Sequence, residues 1–397
     1  MKKQPTKSVT ASKSGLFIGA CLIALVGFVA GSRQQEIIAA VGPVFGIKYS
    51  AERLDTSSLE DVFHTLKNNY DGSLDTNKLL EGAKKGLVAA AGDEYSVYFD
   101  PKEAEDFNKL LQGDVGAGIG VEIGQRSNQP TVVRVLPDNP AERAGLKVGD
   151  QITSVNGKDC VGWDIDRVVA AVRGDAGTSV KVTVLRDGQT VEATITREKI
   201  NNPSVQSKID NNVGILEISR FDSNTSALAE KAATEFADKK VKAVVLDIRN
   251  DGGGELSAAV DVAGLWLKDS IVTTQKKDGK VIEEHRTSGN PVLAGTPTIV
   301  LVNQGSASAS EILASALRDN NAAKLLGEKT FGKGSVQEPI PMDNKGLLKV
   351  TVARWYTPKG VNVSKNGITP DIPVAMTKDD MNAGRDPQMA AALEQLR

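Results

Sequence analysis

Cysteine, histidine and aromatic residues are scarce in this 397-residue chain: two Cys, two His, and 4% Phe, Trp and Tyr together. Cys21 sits in an apolar stretch far from Cys160, so neither a disulfide framework nor a Cys-based zinc site can be assembled. His64 and His285 stand far apart and no HExxH occurs, which leaves histidine- or zinc-based catalysis poorly supported. No metal and no cofactor is expected. An excess of positive charge is missing too: 48 Lys+Arg face 50 Asp+Glu, for a net charge of -2. A nucleic-acid binder would carry a basic excess to neutralise phosphates, so no nucleic-acid partner is expected. What is present is ordinary globular material, 40% hydrophobic with 38 glycines. The length suits two or three domains with a core that needs no staples.

Lys2, Lys3, Lys7 and Lys13 precede an uncharged apolar run from Gly15 to Gly31. That is a basic n-region (1–14) followed by an apolar segment (15–31). As a helix it would span about 26 Å, close to the ~30 Å hydrocarbon core of a bilayer. It reads as a signal peptide or a retained anchor, with the anchor favoured because Ala30-Gly31-Ser32 is a weak cleavage site. The expectation is therefore a single-pass protein of a bacterial cell membrane with extracytoplasmic catalytic domains, or a secreted one if the leader is cleaved. Residues 32–54 read as a linker.

From 55 to 112 the apolar spacing is helical: Leu59, Val62, Phe63 and Leu66, then Leu79, Leu80, Ala83, Leu87 and Val88, then a helix opened by Pro101. The period then falls to two. Strands are expected at 118–123, 131–136, 151–155, 180–185 and 190–196, with turns at Asn156-Gly157 and Asp187-Gly188 and short helices at 140–144 and 165–172. These make a compact β-rich module over 113–198. From 199 to 397, strands at 213–218, 243–248 and 298–302 alternate with helices at 227–239, 258–267 and 310–318, an α/β layer pattern. The fold class expected is mixed α/β with a β-rich insert and an N-terminal helical region.

Two glycine-rich stretches are decoys. Gly327-Glu328-Lys329-Thr330-Phe331-Gly332-Lys333-Gly334 nearly spells a P-loop, but Gly334 stands where magnesium needs Ser or Thr. Gly116-Ala117-Gly118-Ile119-Gly120 is not GxGxxG.

Three other segments carry chemistry. Asn303-Gln304-Gly305-Ser306-Ala307-Ser308-Ala309-Ser310-Glu311 follows a buried strand and opens a helix, whose free N–H groups and positive dipole suit an oxyanion. Taken alone it reads rather as a plain N-cap with an acidic first turn. Lys333 lies 25 residues beyond Ser308 between two glycines, at the start of a strand-like segment where Lys333, Ser335 and Gln337 would face one way. A desolvated lysine beside a serine can act as its general base. Leu246-Asp247-Ile248-Arg249-Asn250-Asp251-Gly252-Gly253-Gly254 ends a buried strand in three glycines, whose N–H groups could complete an oxyanion hole.

These three segments, in this order, resemble the carboxyl-terminal processing peptidases, or tail-specific proteases, from about residue 55 to the C-terminus. The resemblance implies a serine endopeptidase with Ser308 as nucleophile, Lys333 as general base and Gln337 orienting that lysine. It implies an oxyanion hole at the N–H groups of Gly253 and Ala309. One departure is Gly252, where the family commonly carries proline; it removes no chemical group. The resemblance also identifies the β-rich module as a PDZ domain, with Gly118, Ile119, Gly120 and Val121 as its carboxylate-binding loop. Such a domain takes an extended C-terminus as an added strand. In relatives an arginine near Arg173 couples docking to protease activation; equally, Arg173 is a surface cation before the Gly174 turn. The expected partners are polypeptides with free C-terminal tails and, through the leader, the membrane; a homo-oligomer stays open.

Two other readings compete. A non-enzymatic tail-binding protein on the same fold would not need Ser308, Lys333 and Gln337 intact. A Ser–His–Asp hydrolase using His285 lacks a GxSxG around Ser308, and His285 sits in the polar run Glu283-Glu284-His285-Arg286.

Overall fold

The computed structural model describes residues 54–126, 129–160, 162–163 and 165–397. Among them no helix is long and apolar enough to cross a membrane. The expected anchor is corrected accordingly, and with it the membrane partner and the single-pass placement; the segment 15–31 itself lies outside the described residues. The chain divides into two compact units, 1–79 and 80–397. In the first, the helix Ser57–Asn69 buries none of its residues.

The larger unit holds the β-rich module and the α/β core. In the module, strands Val121–Arg126, Gln129–Val135, Gln151–Val155, Ser179–Arg186 and Gln189–Thr196 pair antiparallel in that order. Asn156-Gly157 and Asp187-Gly188 both take positive φ, at 51° and 75° and at 49° and 79°. Tight hairpin turns demand this, because it matches the strand twist. Alternate valines of Ser179–Arg186, Val180, Val182 and Val184, are wholly buried against the helix Ile165–Val172.

The core is a six-stranded sheet ordered Val205–Asp210, Val213–Ile218, Ala243–Asp247, Thr298–Val302, Lys324–Gly327, Ile372–Pro373. Only the first pair is antiparallel. Every residue of Ala243–Asp247 and of Thr298–Val302 is buried, because both faces of the sheet are covered. Val244, Leu246, Val300 and Val302 point into a cluster with helices Thr225–Asp238, Leu256–Ala263 and Ala309–Asp319. Val245, Ile299 and Leu301 point the other way, onto the C-terminal helix Pro387–Gln395. Each large apolar side chain buried this way contributes about 1.5–3 kcal/mol.

A second, antiparallel sheet joins Val97–Phe99, Leu347–Tyr356, Ile271–Lys277 and Lys280–Arg286, with Ser335–Pro341 paired to Leu347–Tyr356. In the parallel sheet, the loops leaving the carboxyl ends of Ala243–Asp247 and Thr298–Val302 lie side by side, the usual place for a site in such sheets. They are the glycine turn and the serine loop.

Candidate active site

Ser308 precedes the helix Ala309–Asp319 with φ 56° and ψ −113°. A non-glycine residue held there costs on the order of 1–3 kcal/mol and persists only where its surroundings over-determine it. Buried hydrogen bonds do so. Ser306 donates its hydroxyl to the Ile248 carbonyl at 2.7 Å and accepts the Asn303 N–H at 3.0 Å. Ser310 Oγ and the Ala307 N–H both donate to the Asp251 carbonyl, each at 2.9 Å. Ser306 and Ser310 are thus fully buried staples between the two loops, while Ser308 is half-buried and faces a cavity.

Glu311, in the first turn of the same helix, is fully buried and satisfied by four donors. Its Oε2 accepts the N–H groups of Ser308 and Lys333, and its Oε1 accepts the Gly332 N–H and the Thr330 hydroxyl, at 2.6–2.9 Å. One buried carboxylate therefore fixes both the serine and the lysine loop. The sequence signal for it was a Ser-x-x-Glu capping box, which reads as helix-start chemistry and not as a bridge to residue 333.

Lys333 lies just before the strand Ser335–Pro341 rather than on it. Its glycine neighbours are required by close approach: a Cβ on Gly334 would stand 2.6 Å from Asn362 Nδ2, and one on Gly332 would stand 2.7 Å from the Gly367 nitrogen. Its ammonium is 5.2 Å from the centre of the Tyr95 ring. Burial holds the lysine below its ordinary pKa; the positive charge of Lys349 adds to this, and Glu311 and Asp93 oppose it. Lys349 is itself lowered by burial and stands over the rings of Phe99 and Phe107 at 5.6 and 5.8 Å. Gln337 donates its amide N–H to Ser335 Oγ at 2.8 Å and to Thr351 Oγ1 at 3.2 Å. Among the described residues it makes no hydrogen bond to Lys333.

Ser308, Ala309, Lys333, Gln337 and Lys349 line one cavity of about 400 Å³, whose apolar wall includes Phe107, Leu111, Leu256, Ile312 and Trp355. A larger cavity, about 770 Å³, opens at the start of the strand Thr298–Val302 and contains none of these residues. Gly253, at φ 97°, packs against the serine: a Cβ there would stand 2.8 Å from Ser308 Cβ and 3.0 Å from the Ala309 nitrogen. The two expected oxyanion donors differ in state. The Ala309 N–H makes no hydrogen bond among the described residues, whereas the Gly253 N–H donates to Asp251 Oδ1 at 2.8 Å.

His285 lies on the outer hairpin, with Nε2 2.7 Å from the Gln275 amide nitrogen, and does not line the cavity. No cluster of three His, Cys, Asp or Glu side chains suited to a metal occurs among the described residues.

In the β-rich module a groove of about 300 Å³ is lined by Gly118, Ile119, Gly120 and Val121 on one side and by Val169, Val172 and Arg173 on the other. Gly120 has φ 81°, and a Cβ there would overlap Asn139 at 2.2 Å. The N–H groups of Ile119 and Gly120 donate to nothing among the described residues, and Arg173 is exposed.

Family comparisons agree with this anatomy. The Peptidase family S41 profile matches residues 212–374, a PDZ domain profile matches 131–186, and the profile for the activating protease CtpB N-terminal domain matches 43–103. A protein of Staphylococcus haemolyticus described as a CtpA-like serine protease is 37% identical over 326 residues, covering 82% of this chain and 66% of that protein. A similar one from Staphylococcus epidermidis is 36% identical over 329 residues, covering 82% and 67%. The chain thus spans about two thirds of the length of these curated relatives. Among solved structures, the photosystem II D1 C-terminal processing protease is 30% identical with a TM-score of 0.52, over 80% of this chain and 87% of that one. A Bacteroides fragilis chain described as an S41 protease shares the fold at 17% identity and a TM-score of 0.60, over 88% and 99%. The chain belongs to peptidase family S41, the carboxyl-terminal processing serine peptidases with a PDZ domain.

Proposed function

We propose that this protein is an endopeptidase that hydrolyses peptide bonds with a Ser308–Lys333 dyad and selects polypeptides by their free C-terminal tails. The observation that carries the reading is the shared cavity: a strained, half-buried serine and a lysine held below its usual pKa face it together, tied by one carboxylate. The neutral Lys333 amine takes the Ser308 hydroxyl proton as Oγ attacks the scissile carbonyl. The oxyanion is met by the free Ala309 N–H at the helix start, with Gly253 as the second donor. The Lys333 ammonium then gives its proton to the leaving amine. Water, deprotonated by the same lysine, hydrolyses the acyl-enzyme. Gln337, beside Lys333 on the cavity wall, is assigned to shaping the lysine's surroundings through Ser335 and Thr351.

The groove at Gly118–Val121 is assigned to tail capture, its free N–H groups meeting a terminal carboxylate and its strand edge accepting the chain as an added strand. Arg173, at the groove's rim, is assigned to the same event. We take the PDZ module as 113–198 and the peptidase core as 199–397. A purely tail-binding role is disfavoured because it gives no reason for a strained serine and a desolvated lysine on one cavity. The test is Ser308→Ala: cleavage of a tail-bearing polypeptide should vanish while the melting temperature holds. Cleavage at the parental rate would remove Ser308 as nucleophile.

A further inference from the structure

Asp251 is wholly buried at the start of the glycine turn. Its Oδ1 accepts the Gly253 N–H, closing a turn through its own side chain. Its Oδ2 has no hydrogen-bond partner among the described residues. A half-satisfied carboxylate is costly to bury, and this one lies beside the site where negative charge must develop during catalysis.

Resting on the assignment of Gly253 as an oxyanion donor, we propose that Asp251 is a positioning residue of the same reaction: its carboxylate is the resident occupant of the Gly253 N–H, and the tetrahedral intermediate receives that N–H only once the carboxylate is neutralised. Two effects act in one direction. A charged acceptor holds an N–H about twice as strongly as a neutral one. A fixed negative charge next to Ser308 also opposes the oxyanion directly. Neutralisation adds one proton from bulk water, to Oδ2, and changes no other bond.

The surroundings make that protonation accessible. Burial pushes the Asp251 carboxyl up to about 7, against the Gly253 N–H, the Ser310 hydroxyl and the charge of Arg220. Arg220 comes from the segment leading into the helix Thr225–Asp238 and stands 2.9 Å from Asp222. Glu255, before the helix Leu256–Ala263, has its own carboxyl raised by burial and by Asp222. From the helix Ala309–Asp319, Glu311 is committed to its four donors. Lys333, from the loop opposite, and Lys349, from the strand Leu347–Tyr356, are the positive charges on the same cavity.

The experiment measures kcat and KM from pH 6 to 10 for the full chain, Asp251→Asn and Ser308→Ala, on an internally quenched peptide with a free apolar C-terminus. The parent should give a bell: the rate rises as Lys333 loses its proton and falls as Asp251 loses its own. Asp251→Asn keeps the turn's acceptor without the charge. It should lose the falling limb and exceed the parent in kcat at pH 9 by about 100-fold, the ratio expected two pH units above a carboxyl titrating at about 7 and on the order of 2.7 kcal/mol at 1.36 kcal/mol per decade, with KM within about twofold. A purely structural role would lower activity at every pH and leave the profile's shape alone. An unchanged falling limb in Asp251→Asn overturns the proposal. If that variant does not fold by thermal melting, the parent decides: a monotonic rise to pH 10 also overturns it. An active Ser308→Ala would instead bring down the nucleophile assignment, whereas an inactive one with an unaltered Asp251→Asn profile removes the Asp251 role alone.

Discussion

The backbone N–H groups of Ser308 and Lys333, 25 positions apart in sequence, converge on the same oxygen, Glu311 Oε2, each at 2.9 Å. The proposed nucleophile and its proposed base are thus positioned through their main chains, with neither side chain spent on holding the other's loop.

Glu311→Gln should cost both stability and rate. An amide cannot accept four donors; its NH₂ would face two of them, and each unmet buried group costs about 1–3 kcal/mol. Thermal and urea unfolding should show a loss of about 2 kcal/mol or more. Because the loop carrying Lys333 is released as well, kcat should fall by about 10²-fold in the material that remains folded, in line with the rate cost of misplacing reacting groups by about 1 Å.

Ser306→Ala should separate structure from chemistry. It orphans the Asn303 N–H and leaves the Ile248 carbonyl with only the long 3.4 Å bond from the Asp251 N–H, so the melting temperature should drop while cleavage persists. Ser308→Ala should do the reverse. If Ser306→Ala proves inactive yet fully stable, the nucleophile has been placed two residues too far along.

Lys349→Met should move the pH profile. Lys349 carries the second positive charge on the cavity and helps hold Lys333 below its ordinary pKa. Without it the Lys333 ammonium is less disfavoured, so its pKa rises and the rising limb of the rate shifts to higher pH. A limb that stays in place would show that burial alone sets the lysine.

Tail reading is tested with peptide pairs. Peptides with free, apolar C-termini should be cut faster than their amidated forms, because amidation removes the charge that the Gly118–Val121 loop would hold. Equal rates would take the PDZ groove out of substrate selection.

The sequence exposed those parts of the molecule whose signals are local. Ala243 to Leu246 and Ile299 to Val302 are unbroken apolar runs because both faces of their sheet are covered, and the Asn-Gly and Asp-Gly hairpins announce themselves by turn chemistry. The second sheet was hidden. Leu347–Tyr356 mixes Lys349, Thr351 and Arg354 with apolar residues, since much of it is only half-buried, and its partners lie far away in sequence. The same distance hid Tyr95 and Lys349 as neighbours of Lys333. Lys333 was expected on a strand; instead Gly332 and Gly334 press against residues 362–367 and delay the strand to Ser335. Asp251 reads as an ordinary turn residue, because no sequence pattern tells a buried carboxylate on the Gly253 N–H from an exposed one at the end of a strand.

The central claim is that Lys333 works by giving up and taking a proton, not as a fixed cation. A free lysine, with pKa ~10.4, is neutral in about one molecule per thousand at pH 7.4; the burial seen here raises that fraction. Arginine keeps its charge and cannot accept the proton. The direct measurement is kcat/KM of Lys333→Arg beside Lys333→Ala, both verified as folded, across pH 6 to 10. The account predicts that both are inactive at every pH. Substantial activity in the arginine variant would contradict it and leave Ser308 without its general base.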